Sequence, residues 1–105
     1  VKGISAVYDR AAMIAMPAEM RQSYCRHLQT ITNKQIPILL VTLEYPEGEM
    51  QGPPFSVTEQ EINDSYAENY SVLVLETEDI LDDNDFFKER GLTRLQERVY
   101  LLTPH

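Results

Sequence analysis

A nearly unbroken apolar run from Ile36 to Leu43 is the feature that most constrains the fold of this chain. A strand with one face in water alternates apolar and polar residues, and this run does not alternate. The run therefore predicts a central, parallel strand that is covered on both faces. Pro37 stands at the start of the run, where a missing backbone donor does least harm to a sheet.

A strand and a helix are predicted before this run. The segment from Ile4 to Tyr8 is small, apolar and β-prone, which is typical of a short buried strand. A helix is predicted from Pro17 to Thr30, because proline suits the first helical position, and Asn33 is its expected end. Its apolar stripe is predicted to comprise Met20, Tyr24, His27 or Leu28, and Ile31.

The second half of the chain continues the alternation. A loop is predicted from Glu44 to Phe55, followed by a helix over Glu59–Glu68 and a strand over Ser71–Glu76. Thr58 with Glu61 forms a capping box, with Ser56 and Glu59 as a competing one. An acidic connection, 78–85, leads without a clear helix to a last strand at 98–103. The order predicts an α/β fold whose last strand is antiparallel, since a parallel return needs a covering crossover.

The charge of the chain is concentrated in its middle. The 105 residues carry a formal net charge of -8, and residues 44–85 contain 13 acidic residues and no lysine or arginine. Nucleic-acid backbones and anionic membranes are therefore excluded as partners, because both require clustered cations. No apolar stretch approaches the roughly 20 residues of a membrane-spanning helix. Cys25 is the only cysteine, so no internal disulfide can form, which favours a reducing, cytoplasmic location.

Two segments are expected to form one crevice at the carboxyl ends of the strands. Arg10 follows the first strand, and the loop with Gly52, Pro53, Pro54 and Phe55 follows the central strand. Ligands of open α/β sheets bind at this edge. Arg10 could hold a carboxylate or stabilise a developing anion; the alternative is a surface ion pair with the neighbouring aspartate or a helix acid. The stiff turn could wall an apolar pocket, or it could be a connector whose phenylalanine plugs the core.

Other candidate sites have simpler interpretations. Cys25 is interpreted as a buried structural thiol rather than a nucleophile, because no Cys/His/acid arrangement accompanies it. The aspartates at 79, 82, 83 and 85 lack the spacing and central glycine of a calcium loop, which favours a solvated acidic loop. With only His27 and His105 in the chain, a Cys/His zinc site is not expected, and no metal is predicted. Glycine-rich nucleotide-binding motifs are also missing from these 105 residues.

Four collinear motifs resemble the thiopurine S-methyltransferase family, especially its bacterial members. The motifs are Tyr8-Asp9-Arg10-Ala11-Ala12 with Met16-Pro17-Ala18-Glu19-Met20-Arg21, Leu40-Val41-Thr42-Leu43-Glu44-Tyr45, Gly52-Pro53-Pro54-Phe55-Ser56-Val57, and Arg90-Gly91-Leu92-Thr93-Arg94-Leu95 with Val99-Tyr100-Leu101-Leu102-Thr103. They cover essentially the whole chain in the family's order.

The resemblance implies a class I S-adenosylmethionine-dependent methyltransferase, with a Rossmann-like, mostly parallel sheet and an antiparallel last strand. It implies methyl transfer from S-adenosylmethionine to a thiol or thione sulfur of a small aromatic heterocycle, and bacterial relatives are also associated with selenium and tellurium compounds. Arg10 matches an arginine of the family's cofactor and substrate site, and we expect it to bind the cofactor. Pro53, Pro54 and Phe55 match the loop over the substrate pocket. Lys88 and Arg90 lie near a further basic position of some relatives without matching it cleanly.

The resemblance further implies that residues 1–105 form the C-terminal half of a methyltransferase domain. The first three strands and the glycine-rich cofactor loop would then lie upstream, and Val1 in place of an initiator methionine favours this. The parent is expected to be a monomer, and this segment alone is expected to be inactive and able to self-associate through an exposed sheet edge. The alternative is a non-catalytic α/β interaction module whose acidic block forms the partner surface.

Overall fold

The computed structural model describes residues 6–10 and 12–105 as one sheet with helices packed against it. Its elements are β1 (Val7–Asp9), α1 (Ala18–Ile31), β2 (Ile38–Glu44), α2 (Glu59–Tyr66), β3 (Tyr70–Asp79), α3 (Asp85–Glu89) and β4 (Gln96–Pro104), with single 3₁₀ turns at Met13–Ala15 and Leu81–Asp83. The predicted alternation of strands and helices is confirmed. Ile4 and Ser5 of the predicted first strand lie outside the described residues.

The four strands are ordered β1-β2-β4-β3. β1 pairs with β2 in parallel, and β4 runs antiparallel to both β2 and β3. The antiparallel last strand is therefore confirmed. The mostly parallel sheet is confirmed only in part: β1, β2 and β3 point the same way, but one of the three strand pairings is parallel, because β4 inserts between β2 and β3.

One face of this sheet is packed against both long helices. The main core joins Cys25 of α1 and Ile62 and Tyr66 of α2 to the strand residues Ile38 and Tyr100. Burial of this apolar surface is the main force that holds the sheet and helices together. Thr58 begins α2 as predicted, since its hydroxyl accepts a hydrogen bond from the Glu61 amide.

The opposite face is open around Leu39 in the described part of the chain, which corrects in part the prediction of strands covered on both faces. A row of apolar side chains crosses all four strands there: Tyr8 pairs with Leu39, Leu39 with Leu101, and Leu101 with Leu73. Tyr8 is 63% exposed, Leu39 36% and Leu73 55%. Further along β2 on this face, Val41 is only 9% exposed, because the connection that carries Ile80 and Phe87 lies there. The apolar run of β2 was correctly interpreted as a central strand, but among the described residues α1 and α2 cover the same face.

The predicted stripe of α1 is wrong at its two ends. Met20 and Ile31 are exposed, whereas Arg21, Cys25 and Gln29 are buried. The polar members of this face can be buried because each finds a partner. Both Arg21 nitrogens that face α2 bond the Glu61 carboxylate, and the Gln29 amide donates to the Ser65 carbonyl at 3.0 Å. The periodicity of a helix gives no information about hydrogen-bond partners in another helix.

The connection between the last two strands also differs from the prediction. β3 extends to Asp79, because its acidic end pairs with Glu97 and Gln96 of β4. The remaining connection contains α3, a five-residue helix that the sequence did not predict. Its two phenylalanines are adjacent, so they form no apolar stripe at helical spacing.

Candidate functional site

A pocket of about 250 Å³ opens where β1 and β2 end. The carboxyl ends of parallel strands are where open α/β sheets bind their ligands. The pocket has an aliphatic floor from β2, an aromatic wall, and one charged side chain of each sign. Its lining residues are Arg10, Ile14, Val41, Thr42, Leu43, Ile80, Asn84, Phe87 and Glu97.

Arg10 stands at the mouth of this pocket as the first residue after β1. Its side chain is exposed, and among residues 6–10 and 12–105 its guanidinium has no ion-pair or hydrogen-bond partner. The preceding Asp9 is turned inward instead, accepting a hydrogen bond from the Tyr24 hydroxyl at 2.7 Å and one from the Ala12 amide at 3.3 Å. Among the described residues Arg10 thus forms no surface ion pair with Asp9 or with a helix acid, which was the alternative interpretation, and its side chain is exposed to solvent.

Hydrogen bonds and apolar contacts hold the part of the pocket wall that follows β3. The Asn84 side-chain amide donates to the Ile80 carbonyl at 2.6 Å, and the Ile80 amide donates to the Leu95 carbonyl at 2.8 Å. Phe87 packs with a second apolar cluster formed by Tyr45, Leu81, Leu92 and Leu95. The pocket therefore lies between two packed clusters, so its shape is largely set before any ligand arrives.

The proline turn lies behind the pocket rather than in its lining. The Phe55 amide donates to the Ile14 carbonyl at 2.6 Å, and the Tyr45 hydroxyl donates to the Pro54 carbonyl at 2.9 Å. Gly52 has a φ of 75°, and a Cβ there would lie 2.7 Å from the Phe55 ring. The turn thus supports Ile14, which does line the pocket. A direct substrate contact by Pro53, Pro54 and Phe55 stays a prediction.

A carboxylate clamp joins the predicted loop to the segment after α3. The Glu49 carboxylate accepts hydrogen bonds from the Thr93 amide at 2.8 Å and the Thr93 hydroxyl at 2.7 Å. These hydrogen bonds, with help from the nearby Arg94 charge, lower the pKa of Glu49. The loop after β2 is therefore fastened across the same edge of the sheet at which the pocket opens.

The two basic residues near α3 are engaged elsewhere. Lys88 pairs with Asp82 at 3.2 Å, and the Arg90 guanidinium lies 4.6 Å from the centre of the Phe86 ring. Neither lines the pocket, whereas Phe87 does. Sequence reasoning did not identify Asn84, Phe87 or Glu97 as candidate site residues. Their place in the pocket follows from the packing of the α3 connection and the register of β4, neither of which has a local sequence signature.

A larger groove of about 750 Å³ runs between α1 and α2. Its walls are polar, with Arg26 and Lys34 on the α1 side and Asp64 and Glu68 on the α2 side. It lies on the helical flank, away from the strand ends, and it is far more polar than most pockets for small molecules. We therefore place the candidate site at the smaller pocket beside Arg10.

Cys25 is confirmed as a buried thiol. It is 1% exposed, its Sγ lies 3.5 Å from the Met13 Sδ, and burial raises its pKa. A neutral, inaccessible thiol is a poor nucleophile. Elsewhere in the described chain, no three His, Cys, Asp or Glu side chains lie close enough together to hold a metal ion. The helices within those same residues are too short or too polar to cross a bilayer.

Comparison with known proteins gives one consistent family. The family model described as thiopurine S-methyltransferase matches residues 1–105. Three similar bacterial proteins carry that same name. The protein of Pseudomonas paraeruginosa strain PA7 is 49% identical over 100 residues, which are 95% of this chain and 46% of that protein. The Marinobacter nauticus protein is 50% identical over 92 residues (88% and 42%), and the Nitrosospira multiformis protein 43% over 99 residues (94% and 45%).

The chain spans about half the length of the curated relatives it matches. Within that span the agreement is unbroken, because the family match extends from the first residue to the last. The sheet with its antiparallel last strand agrees with the resemblance that the four motifs indicated. This chain therefore belongs to the thiopurine S-methyltransferase family.

Proposed function

We propose that this chain forms part of an S-adenosylmethionine-dependent S-methyltransferase that acts on a thiol or thione sulfur of a small aromatic heterocycle. The observation that carries the proposal is the partnerless Arg10 guanidinium at the mouth of an aliphatic and aromatic pocket, in a chain that belongs to this family. Membership of an enzyme family favours catalysis over the alternative of a non-catalytic module with an acidic partner surface. Selenium and tellurium compounds extend the proposed substrate range.

The described residues fit the cofactor at one point only. The Arg10 guanidinium at the end of β1 is unpaired and suits a carboxylate such as that of an amino-acid moiety. Arg10 would therefore bind that end of the cofactor. The described glycines do not form a cradle: Gly48 and Gly91 lie in open turns, and Gly52 is closed off by the Phe55 ring. When bound, S-adenosylmethionine would supply a methyl group on a positively charged sulfur. Its remaining contacts are proposed to come from a segment equivalent to the unmatched half of the relatives.

The pocket residues suit a sulfur nucleophile. A thiolate is a far better nucleophile than a thiol, and a guanidinium beside the sulfur favours the charged form. The floor formed by Val41 and Leu43, with Phe87 as the wall, offers an apolar surface to a flat ring. The hydrogen bond between Asn84 and Ile80 keeps that wall in place. The chain's contribution to the reaction would thus be to orient the ring and to stabilise the acceptor sulfur.

We propose a cytoplasmic enzyme whose parent is a monomer, with residues 1–105 as the C-terminal half of its domain. The isolated chain is proposed to self-associate, because β1 pairs only with β2 among the described residues and Tyr8 is 63% exposed beside that free edge. Leu39 and Leu73 continue the same apolar surface. The large exposed patch is typical of a surface that another chain or segment covers.

A hybrid enzyme tests the proposed function. These 105 residues would replace the matched segment of the Pseudomonas paraeruginosa relative, and S-methylation of mercaptopurine would be followed by mass spectrometry. Arg10→Ala is expected to lower kcat/KM about a hundredfold, the usual effect of removing one electrostatic stabiliser of a reacting group. Arg26→Ala removes an exposed arginine from the polar groove between α1 and α2 and is the matched control.

Two outcomes would count against this function. A correctly folded hybrid without any methyl transfer to thiols would contradict the proposed reaction. An active hybrid in which Arg10→Ala and Arg26→Ala behave alike would remove Arg10 from the site while leaving the reaction in place.

A further inference from the structure

The pocket contains a second charged side chain, Glu97, which has no role in the proposed reaction. Glu97 lies in β4, directly opposite Leu43 of β2, and its carboxylate has no hydrogen-bond or ion-pair partner among residues 6–10 and 12–105. Arg10 lines the same pocket and is equally without a partner. The pocket therefore presents a free cation and a free carboxylate that do not pair with each other.

The needs of folding do not explain a carboxylate at this position. Across the other side of β4, Glu97 faces Glu78 of β3, and like charges directly opposite each other destabilise a sheet. Two residues further along the same face of β4, Val99 faces Val41. An apolar residue at position 97 would continue that pattern beside Leu43 without repulsion. Strand pairing therefore gives Glu97 no partner of opposite charge, and its position in a pocket supplies another reason for a carboxylate here.

We propose that Glu97 is a specificity-determining residue, accepting a hydrogen bond from a ring N–H of the substrate while the substrate sulfur lies against Arg10. The sulfur position rests on the proposed function. Thione heterocycles of the purine type carry both groups, a sulfur that becomes anionic and a ring N–H that donates. A pocket of about 250 Å³ has room for one such small ring system beside Phe87. The proposed substrate class is thereby narrowed from small aromatic heterocycles to nitrogen heterocycles with a free N–H.

The carboxylate selects by chemistry rather than by shape. A site built to accept a hydrogen bond loses that bond, and leaves a partly desolvated acceptor unpaired, when the ligand has no donor. A ring N–H would satisfy Glu97, whereas a purely carbocyclic thiol would not. Glu97 would therefore favour a purine-type thione over thiophenol, although both fit an apolar pocket and both bring a sulfur to Arg10.

The test compares two ligands and two matched variants. Binding of mercaptopurine and of thiophenol to the 105-residue chain would be followed by NMR titration, and KM for both would be measured in the hybrid enzyme. Glu97→Gln keeps an acceptor oxygen but removes its charge. Mercaptopurine binding is expected to weaken about tenfold, because a neutral acceptor forms a weaker hydrogen bond than a charged one, and thiophenol binding should stay within twofold of that of the unchanged protein. Glu78→Gln removes the same charge from the same face outside the pocket and should change neither ligand. The kcat for mercaptopurine should stay within about twofold in Glu97→Gln, because the contact orients the ring and does not touch the reacting sulfur.

Several results would overturn the inference. Glu97→Gln could weaken the binding of both ligands equally, or Glu97→Gln and Glu78→Gln could have equal effects. Either result would show that the Glu97 charge acts through its general electrostatic field and not through a hydrogen bond to the substrate. If Glu97→Gln weakens the binding of S-adenosylhomocysteine alone, Glu97 belongs to the amino-acid end of the cofactor site and not to the substrate site. If the unchanged hybrid methylates neither thiol, the proposed function fails and this inference falls with it. If the hybrid methylates both and Glu97→Gln leaves their ratio unaltered, the inference fails alone.

Discussion

The pair formed by Arg21 and Glu61 offers the sharpest test of how this chain is held together. Arg21 is 5% exposed on α1, and its guanidinium bonds the Glu61 carboxylate of α2 through Nε at 2.5 Å and Nη2 at 2.8 Å. Its Nη1 donates to the Met16 carbonyl at 2.7 Å, just before α1 begins. One side chain thus joins both helices and the segment that follows the 3₁₀ turn carrying Ile14 of the pocket.

Arg21→Met keeps most of the side-chain volume and removes all three hydrogen bonds. Breaking a buried ion pair on one side costs about 3–5 kcal/mol, because the remaining charge is left without a partner. The Glu61 side chain is 28% exposed, so water recovers part of that cost. We expect a loss of about 3 kcal/mol in the free energy of unfolding. With a urea m-value of about 1.5 kcal/mol/M, the midpoint would fall by about 2 M.

Urea unfolding followed by circular dichroism measures this effect. Lys88→Met is the matched control, because Lys88 pairs with Asp82 at the surface, where the Asp82 side chain is 97% exposed. This substitution should lower the free energy of unfolding by less than about 0.5 kcal/mol. The double variant Arg21→Met/Glu61→Met should recover more than half of the loss, because no charge is then left unpaired. A loss below about 1 kcal/mol for Arg21→Met, or a double variant less stable than the single one, would refute the reasoning.

Two further predictions concern pH and self-association. Burial raises the pKa of Tyr24, Tyr66 and Tyr100, with the hydrogen bond to Asp9 adding to the shift at Tyr24. The protonated hydroxyls stabilise the fold fully below the unfolded pKa of about 10, and this stabilisation is lost as pH rises through the higher folded values. The urea midpoint should therefore fall steeply above about pH 10. A constant midpoint between about pH 8 and about pH 11.5 would contradict this. Leu39→Lys and Leu73→Lys each place a charge on the open face of the sheet. Each variant should shift the isolated chain toward a monomer in sedimentation velocity. An unchanged oligomer distribution would show that the chains associate through another surface.

The local part of the fold was predictable from the sequence. Helix α1 begins within one residue of the position that Pro17 indicated, and Thr58 caps α2 as its spacing with Glu61 predicted. Such features depend on neighbours a few residues apart, which a pattern of propensities records. The placement of Arg10 at the end of β1 was predictable for the same reason, because a polar residue directly after a short apolar strand lies at its carboxyl end.

The open face shows where sequence reasoning was incomplete. The apolar run of β2 correctly indicated a strand at the centre of the sheet, but Leu39 is 36% exposed. An apolar sequence pattern shows which residues favour burial. It does not show which elements of the chain pack over them. The two long helices, α1 and α2, pack on one side, so only the three-dimensional arrangement distinguishes the covered face from the open one.

By itself, the sequence determined the order of strands and helices, the family resemblance and the choice of Arg10 as the candidate cofactor-binding residue. Only the tertiary structure decided that Arg21 is a buried link to a residue 40 positions away, and that Glu97 faces Leu43 in the pocket. The physical reason is the range of the interactions. Propensities and caps act within a turn or two of helix, whereas strand register and buried charge pairs join residues that come together only when the chain folds.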